Sequence, residues 1–363
     1  MEKNKAQAQL LLPTKDLTEE MNFFQNLGFR LDQIFPADDP QVAIMSGHGL
    51  ELRIDRNAQI PASHIRILTD EPEQFSITQN ILIAPNGTKI ELHPKTYQLE
   101  RPKTQHKFET RRLTGGEPWV VGRAGMMYRD LIPDRLGGSI IASHIHIPTG
   151  GPVPDMVHYH TIGFQLIYCY RGWVKLVYED QGPPFILRAG DCVTQPPEIR
   201  HRVLESSDNL QVIEIGVPAE HITTIDHDLE LPTKTINQNR VFSGQTFCHH
   251  QLQNATWQPW RIAGFEAIAT GINAATNGLA DVKIIRPLEN FNPTKWASHT
   301  TDILFTFILE GSLTLAVVDE GEHTLNLGDA FVMPPDRKSR LTHFSEDLEF
   351  LEISLPGEFK TVI

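Results

Sequence analysis

The sequence predicts a mainly β protein: two tandem barrels of short strands, preceded by a small α+β unit. Three observations predict it. The C-terminal two-thirds repeats itself at a near-constant offset. Its segments are short and rich in β-branched and aromatic residues, and 25 glycines and 25 prolines in 363 residues supply the turns such strands need.

The repeat comes first because it organises the rest. Ala124-Gly125 matches Ala263-Gly264, and Gly172 matches Gly311, both at an offset of 139. After one deletion the offset is 138, carrying Gly190-Asp191 onto Gly328-Asp329 and Pro196-Pro197 onto Pro334-Pro335. The run from Leu210 then falls on the run from Leu348. Within each copy, segments such as GSIIASHIHI, QLIYCY, WVKLVYE and LQVIEI follow one another with no amphipathic helix between them. That spacing indicates a sandwich or small barrel, and closing the sheet removes exposed edges.

Two polar stretches without periodicity, Thr96–Arg112 and Asp226–Arg240, read as connections. They divide the chain into 1–98, 99–225 and 226–363. In the first unit LLLPT reads as a strand and DLTEEMNFFQNLGF as an amphipathic helix closed by Gly28. VAIM, LELRI, HIRIL and KIELHP read as further strands.

Composition excludes several functions. A net charge of −13 opposes binding to a phosphate backbone or an anionic membrane surface. The N-terminal run MEKNKAQAQLLLPTKD lacks the apolar core of a signal peptide, and no stretch approaches a membrane span. Cys169, Cys192 and Cys248 are too few for a disulfide framework and read as reduced, buried thiols. The expected location is the cytoplasm. The expected partner is a small-molecule substrate rather than nucleic acid or membrane, and the chain is compatible with a homodimer.

The chemistry concentrates in the first repeat. His158 and His160 are two apart, so on a strand both rings project from one face. Downstream, the Gly190-Asp191 turn, a strand and a Pro-Pro bend lead to His201. Inward positions of a closed barrel converge, and three neutral imidazoles suit Fe(II), Mn(II), Ni(II), Cu(II) or Zn(II). Three ligands also leave room for water or substrate, as a catalytic site requires. Ordinary hydrogen-bonded core histidines are the alternative.

This pattern resembles the cupin superfamily. His158, Tyr159, His160, four residues, Gln165, six residues and Gly172 fit its first motif, and Gly190, five residues, Pro196 and His201 fit its second. The second motif's glycine is replaced by Glu198, and the first motif's carboxylate by Gln165. The resemblance implies a bicupin of two double-stranded β-helix barrels. It also implies one divalent transition metal, iron first and Mn, Ni, Cu or Zn as alternatives, on His158, His160 and His201. Gln165 is then a secondary ligand or a group orienting bound water. His144 and His146 are candidates for substrate-facing groups, with exposed strand histidines the alternative, and Cys169 shares the parity of Gln165.

By register, the second repeat has Ala297, His299, Leu304 and Ser339 where the first has His158, His160, Gln165 and His201. One ligand survives, so no metal is expected there; the copy is expected to pack face to face on the first barrel. The N-terminal unit resembles the glyoxalase/bleomycin-resistance (vicinal-oxygen-chelate) class. That resemblance places Gln9, Glu51, His64 and Glu91 at its ligand positions, in a module too short to be complete. The function implied is a metal-dependent enzyme on a small organic substrate, first an Fe(II)-type dioxygenase. Alternatives are a redox-neutral isomerase or lyase and a non-catalytic small-molecule binder.

Overall fold

The computed structural model describes residues 7–26, 29–47, 50–60, 64–71, 81–83, 89–115, 119–288 and 294–363. Gly28, the expected helix stop, lies outside them.

The N-terminal unit begins with strand Gln7–Pro13, helix Leu17–Asn26 and strands Arg30–Phe35, Val42–Gly47 and Leu50–Asp55. Asp16 caps the helix, its Oδ1 accepting from the Glu19 amide at 2.9 Å. Glu19 and Glu20 in the first turn complement the helix dipole. Leu17, Met21 and Phe24 pack on Ala43, Met45, Leu52 and Ile54 of the sheet. Sequence reasoning missed strand Arg30–Phe35 because a bulge between Leu31 and Gln33 breaks its alternation. It also missed the three-residue strand Ile81–Ile83.

Each repeat forms two facing sheets. In the first, Phe164–Arg171, Leu210–Val217 and Ile141–Ile147 are the centre of one sheet. Trp173–Tyr178, His201–Ser206, His158–Thr161 and Ile222–Ile225 make the other. The last of these strands also pairs with the N-terminal unit, Thr223 opposite Ile34 and Thr224 opposite Gln33. One continuous sheet therefore runs from the N-terminal unit into the first barrel.

The connections are more structured than their composition indicates. Glu109–Arg111, inside the stretch expected to be a linker, is an edge strand pairing with Ala330–Val332 of the second barrel. Reciprocally, His249–His250 pairs with Cys192–Val193 of the first. The exchange keeps the repeat's symmetry: the Leu113 amide donates to Asp329 at 2.7 Å, and the Leu252 amide to Asp191 at 2.8 Å. Strands this short carry no readable periodicity.

The barrels share a core. Phe164, Leu166 and Tyr168 of the first barrel lie in one apolar cluster with Phe305, Phe307, Val282 and Ile353 of the second. The Tyr170 hydroxyl crosses the interface to the Leu309 carbonyl at 3.2 Å. Alternation on Phe164–Arg171 sends even positions to this interface and Gln165, Ile167 and Cys169 into the barrel. The face-to-face packing expected of the second copy is what the structure shows.

Candidate metal centre

His158 and His160 lie on strand His158–Thr161, whose burial alternates, and both point inward at 1% and 4% exposure. His201, 2% exposed, opens the neighbouring strand and stands opposite His158. The three rings converge: their centroids are 4.2–5.2 Å apart and their ligand atoms lie within 4.8 Å of one another. An ion about 2.1 Å from each nitrogen requires separations below about 4.2 Å. Three nitrogens shared equally by one ion stand about 3.4 Å apart in a tetrahedral site, so a contraction of about 1 Å closes the cluster on one ion.

The hydrogen bonds fix which nitrogen is offered. Nδ1 of His158 faces the Met156 carbonyl at 2.7 Å, and Nδ1 of His201 the Ile199 carbonyl at 2.9 Å. Nδ1 of His160 meets the Thr223 hydroxyl at 2.9 Å. On His158 and His201 Nδ1 thus carries the proton and Nε2 keeps its lone pair, while on His160 the Thr223 hydroxyl occupies Nδ1 and leaves Nε2 as the nitrogen to offer. Burial holds all three rings neutral: it pulls His201 down to about 4, and His158 and His160 well below the ordinary imidazole range. Neutral, convergent imidazoles fit a divalent transition metal.

Around them lie residues the motif does not include. Arg123, its side chain 15% exposed, pairs with Asp155 and brings Nη2 to 3.1 Å from His158 Nε2. Asp155 also accepts from the Val203 amide at 2.9 Å. Tyr178 stacks on His201 at 5.4 Å and accepts from Gln195 at 2.8 Å. Glu214 faces the same cavity, and burial raises its carboxyl above the usual range. The cavity measures about 70 Å³, several times what one water needs, and Ala37 of the N-terminal unit forms part of its wall. Arg123 was visible only as the residue before the repeated Ala-Gly pair, and Glu214 only as the repeat partner of Glu352.

Gln165 is 1% exposed, and its amide donates to Glu214 at 2.6 Å while its own Oε1 meets no partner. Cys169 is fully buried and its thiol is pushed up to about 12, which makes it inert. His144 and His146 are not substrate-facing. His144 is buried on the interface side, between Arg129 at 3.1 Å and Gln211 at 2.9 Å and against the Phe307 ring. The residues of that strand that line the cavity are Ile145 and Ile147.

Of the glyoxalase-like set, the side chain of His64 lies outside the described residues, and the other three are ranged along one row of the sheet. Glu51, Gln9, Arg66 and Glu91 share one row across four strands, with Gln9 bonded to Glu51 and Arg66 to Glu91 at 3.2 Å. An arginine stands among those carboxylates, and the backbone of His64 pairs with Leu11, off that row. Among the described residues, His158, His160 and His201 are the single cluster with metal spacing.

At Glu198, where the second motif expects glycine, the backbone is left-handed at φ +65°, as it is at Asp336 in the second copy. The turn keeps its geometry without the glycine, at a cost of roughly 1 kcal/mol.

Thr223 is a positioning residue for His160. Thr223→Val keeps the shape and removes the hydrogen-bonding hydroxyl, so metal affinity is expected to fall about tenfold or more with the fold intact. A chelator-competition titration beside circular dichroism checks this.

A three-imidazole cluster inside one of two packed, duplicated double-sheet barrels defines the fold of a bicupin. No protein-family model matches the chain, and no curated protein matches it in sequence. Solved structures do match in fold. Salicylate 1,2-dioxygenase from Pseudaminobacter salicylatoxidans superposes with a TM-score of 0.52 at 14% identity, over 72% of this chain and 90% of that one. Oxalate decarboxylase from Lactobacillus farciminis, in its formate complex, gives 0.51 at 10% identity, over 70% and 87%. Bacillus subtilis oxalate decarboxylase, described with Mn(II) centres, gives 0.50 at 12% identity, over 72% and 81%. No helix among the described residues is long and apolar enough to cross a membrane.

Proposed function

We propose that the chain is a metal-dependent bicupin enzyme acting on a small organic anion, with dioxygenation at an Fe(II)-type centre as its reaction. The observation that carries this is the convergence of three neutral imidazoles beside a half-buried arginine in one barrel cavity. A divalent ion on His158, His160 and His201 supplies a Lewis acid with open positions and, when redox-active, electrons for dioxygen. Iron is the first choice, with Mn, Ni, Cu and Zn as alternatives.

Arg123 binds the substrate. The His158 Nε2 lone pair cannot serve both an ion and the guanidinium, so ligation releases an Arg123 N–H toward the cavity. A freed, desolvated guanidinium beside a metal position selects a carboxylate or enolate. Salicylate and oxalate, named for two of the structural neighbours, are both carboxylates, which supports the same class. Gln165 is a secondary group, holding Glu214 at the cavity wall.

Arg123→Gln is expected to raise KM for an anionic substrate about tenfold or more with a smaller change in kcat. Steady-state kinetics against an anion and its neutral amide checks the split.

Glu214 favours a second reading. A carboxyl raised by burial can deliver a proton to a carbanion, as redox-neutral decarboxylation requires. Elemental analysis followed by oxygen-electrode assays on salicylate and oxalate tests both. Metal-dependent oxygen uptake supports dioxygenation, and turnover under strict anaerobiosis supports the lyase. Protein that binds no stoichiometric metal overturns both.

A further inference from the structure

The second barrel lacks the three-histidine cluster but keeps a cavity of about 80 Å³, and its polar lining is unsatisfied. Three side-chain nitrogens there are out of solvent contact and without a hydrogen-bond partner among the described residues: Trp260 Nε1, Arg261 Nε and Arg340 Nε. His299 is 3% exposed, and its Nε2 is committed to the Met333 carbonyl at 3.1 Å. All three nitrogens are N–H donors, and buried donors are seldom left unpaired unless something absent from the protein alone satisfies them.

The charges agree. Arg261 is neutralised by Glu352, itself 6% exposed, and is held between the Trp260 and Phe359 rings at 4.2 and 5.3 Å. Arg340 forms no ion pair among the described residues and lies over the Trp296 ring at 4.9 Å. Lys295 lines the same cavity and is exposed. With one carboxylate against two arginines and a lysine, the site favours an anion. The remaining wall is apolar, including Leu304, Leu315, Phe331, Met333 and Phe350.

We propose that the second barrel is a separate binding site for a small organic monocarboxylate. The carboxylate is held by the Trp260, Arg261 and Arg340 N–H groups, and its apolar body lies against the leucine and phenylalanine wall. Where His158, His160 and His201 stand in the first barrel, the second has Ala297, His299 and Ser339, so the site recognises the anion directly rather than through an ion.

Benzoate is the probe, with benzamide as its uncharged isostere, titrated calorimetrically into metal-free full-length protein. Benzoate is expected to bind saturably and benzamide at least about tenfold more weakly, the ratio one charge-assisted hydrogen bond carries. Arg340→Ala and Trp260→Phe both leave the Arg261–Glu352 pair in place; each is expected to weaken benzoate about tenfold or more with an unchanged thermal midpoint. Arg123→Gln is expected to leave that affinity unchanged. Absence of saturable benzoate binding overturns the proposal. So does equal binding of benzamide, or binding lost with Arg123→Gln but kept in Arg340→Ala and Trp260→Phe, which places the anion in the first barrel.

Discussion

His160→Ala is expected to abolish metal binding and leave the protein folded. His160 supplies one of three converging imidazoles, and His158, the other histidine on that strand, is already in the cluster, so no other ring on that strand can replace it. Loss of an outer-sphere partner costs metal affinity ten- to a hundredfold, and loss of a ligand costs more than that. The fold survives because the backbone of His160 pairs with Thr223 whatever its side chain, and the first barrel is held by apolar residues such as Leu176, Leu187 and Val193. The stability loss is the Thr223 hydroxyl left without its partner, about 1 kcal/mol. Elemental analysis of wild type and variant, with circular dichroism of both, measures the two effects separately. His299→Ala, in the second barrel, is expected to keep the metal. A variant at 160 that still carries one ion per chain would place the ion elsewhere.

Part of this architecture was legible and part was not, for reasons that differ by residue. The inward parity of His158 and His160 follows from the two-residue period of a strand, and the duplication is written in a register that glycines and prolines keep. Local rules of this kind transfer directly from sequence to structure. Arg123 and Glu214 were not legible, because strand pairings between distant segments bring them to the cavity and neither sits in a recognisable motif. His144 shows the limit of parity reasoning: alternation says that His144 and Ile145 face opposite sides, but only the packing of the second barrel says which side is the interface. The exchanged strands Glu109–Arg111 and His249–His250 were invisible because two or three residues show no period, and their partners lie in the opposite copy. Gln165 remains the residue whose role the sequence posed most sharply. The structure ties its amide to Glu214, on strand Leu210–Val217, which sequence reasoning treated as plain scaffold.

Phe305→Ala is expected to destabilise both barrels together. Phe305 is fully buried at the centre of the cluster that Phe164, Leu166 and Tyr168 enter from the first barrel. Deleting a buried phenyl ring costs about 3–5 kcal/mol, the transfer term plus that of the cavity left behind. Leu313→Ala, in the cluster confined to the second barrel, removes fewer atoms and costs about 2–5 kcal/mol. The two differ in where the loss is felt. Leu166 shares strand Phe164–Arg171 with Gln165, so the strand that closes the interface also forms a wall of the barrel holding the imidazoles. In a urea titration, Phe305→Ala should therefore shift metal release and the loss of β signal to lower denaturant by the same amount. Leu313→Ala should move the β signal further than the metal. If metal release in Phe305→Ala stayed at the wild-type midpoint while the β signal moved, the two barrels would be separate cores in contact, and the second copy would contribute nothing to the stability of the site.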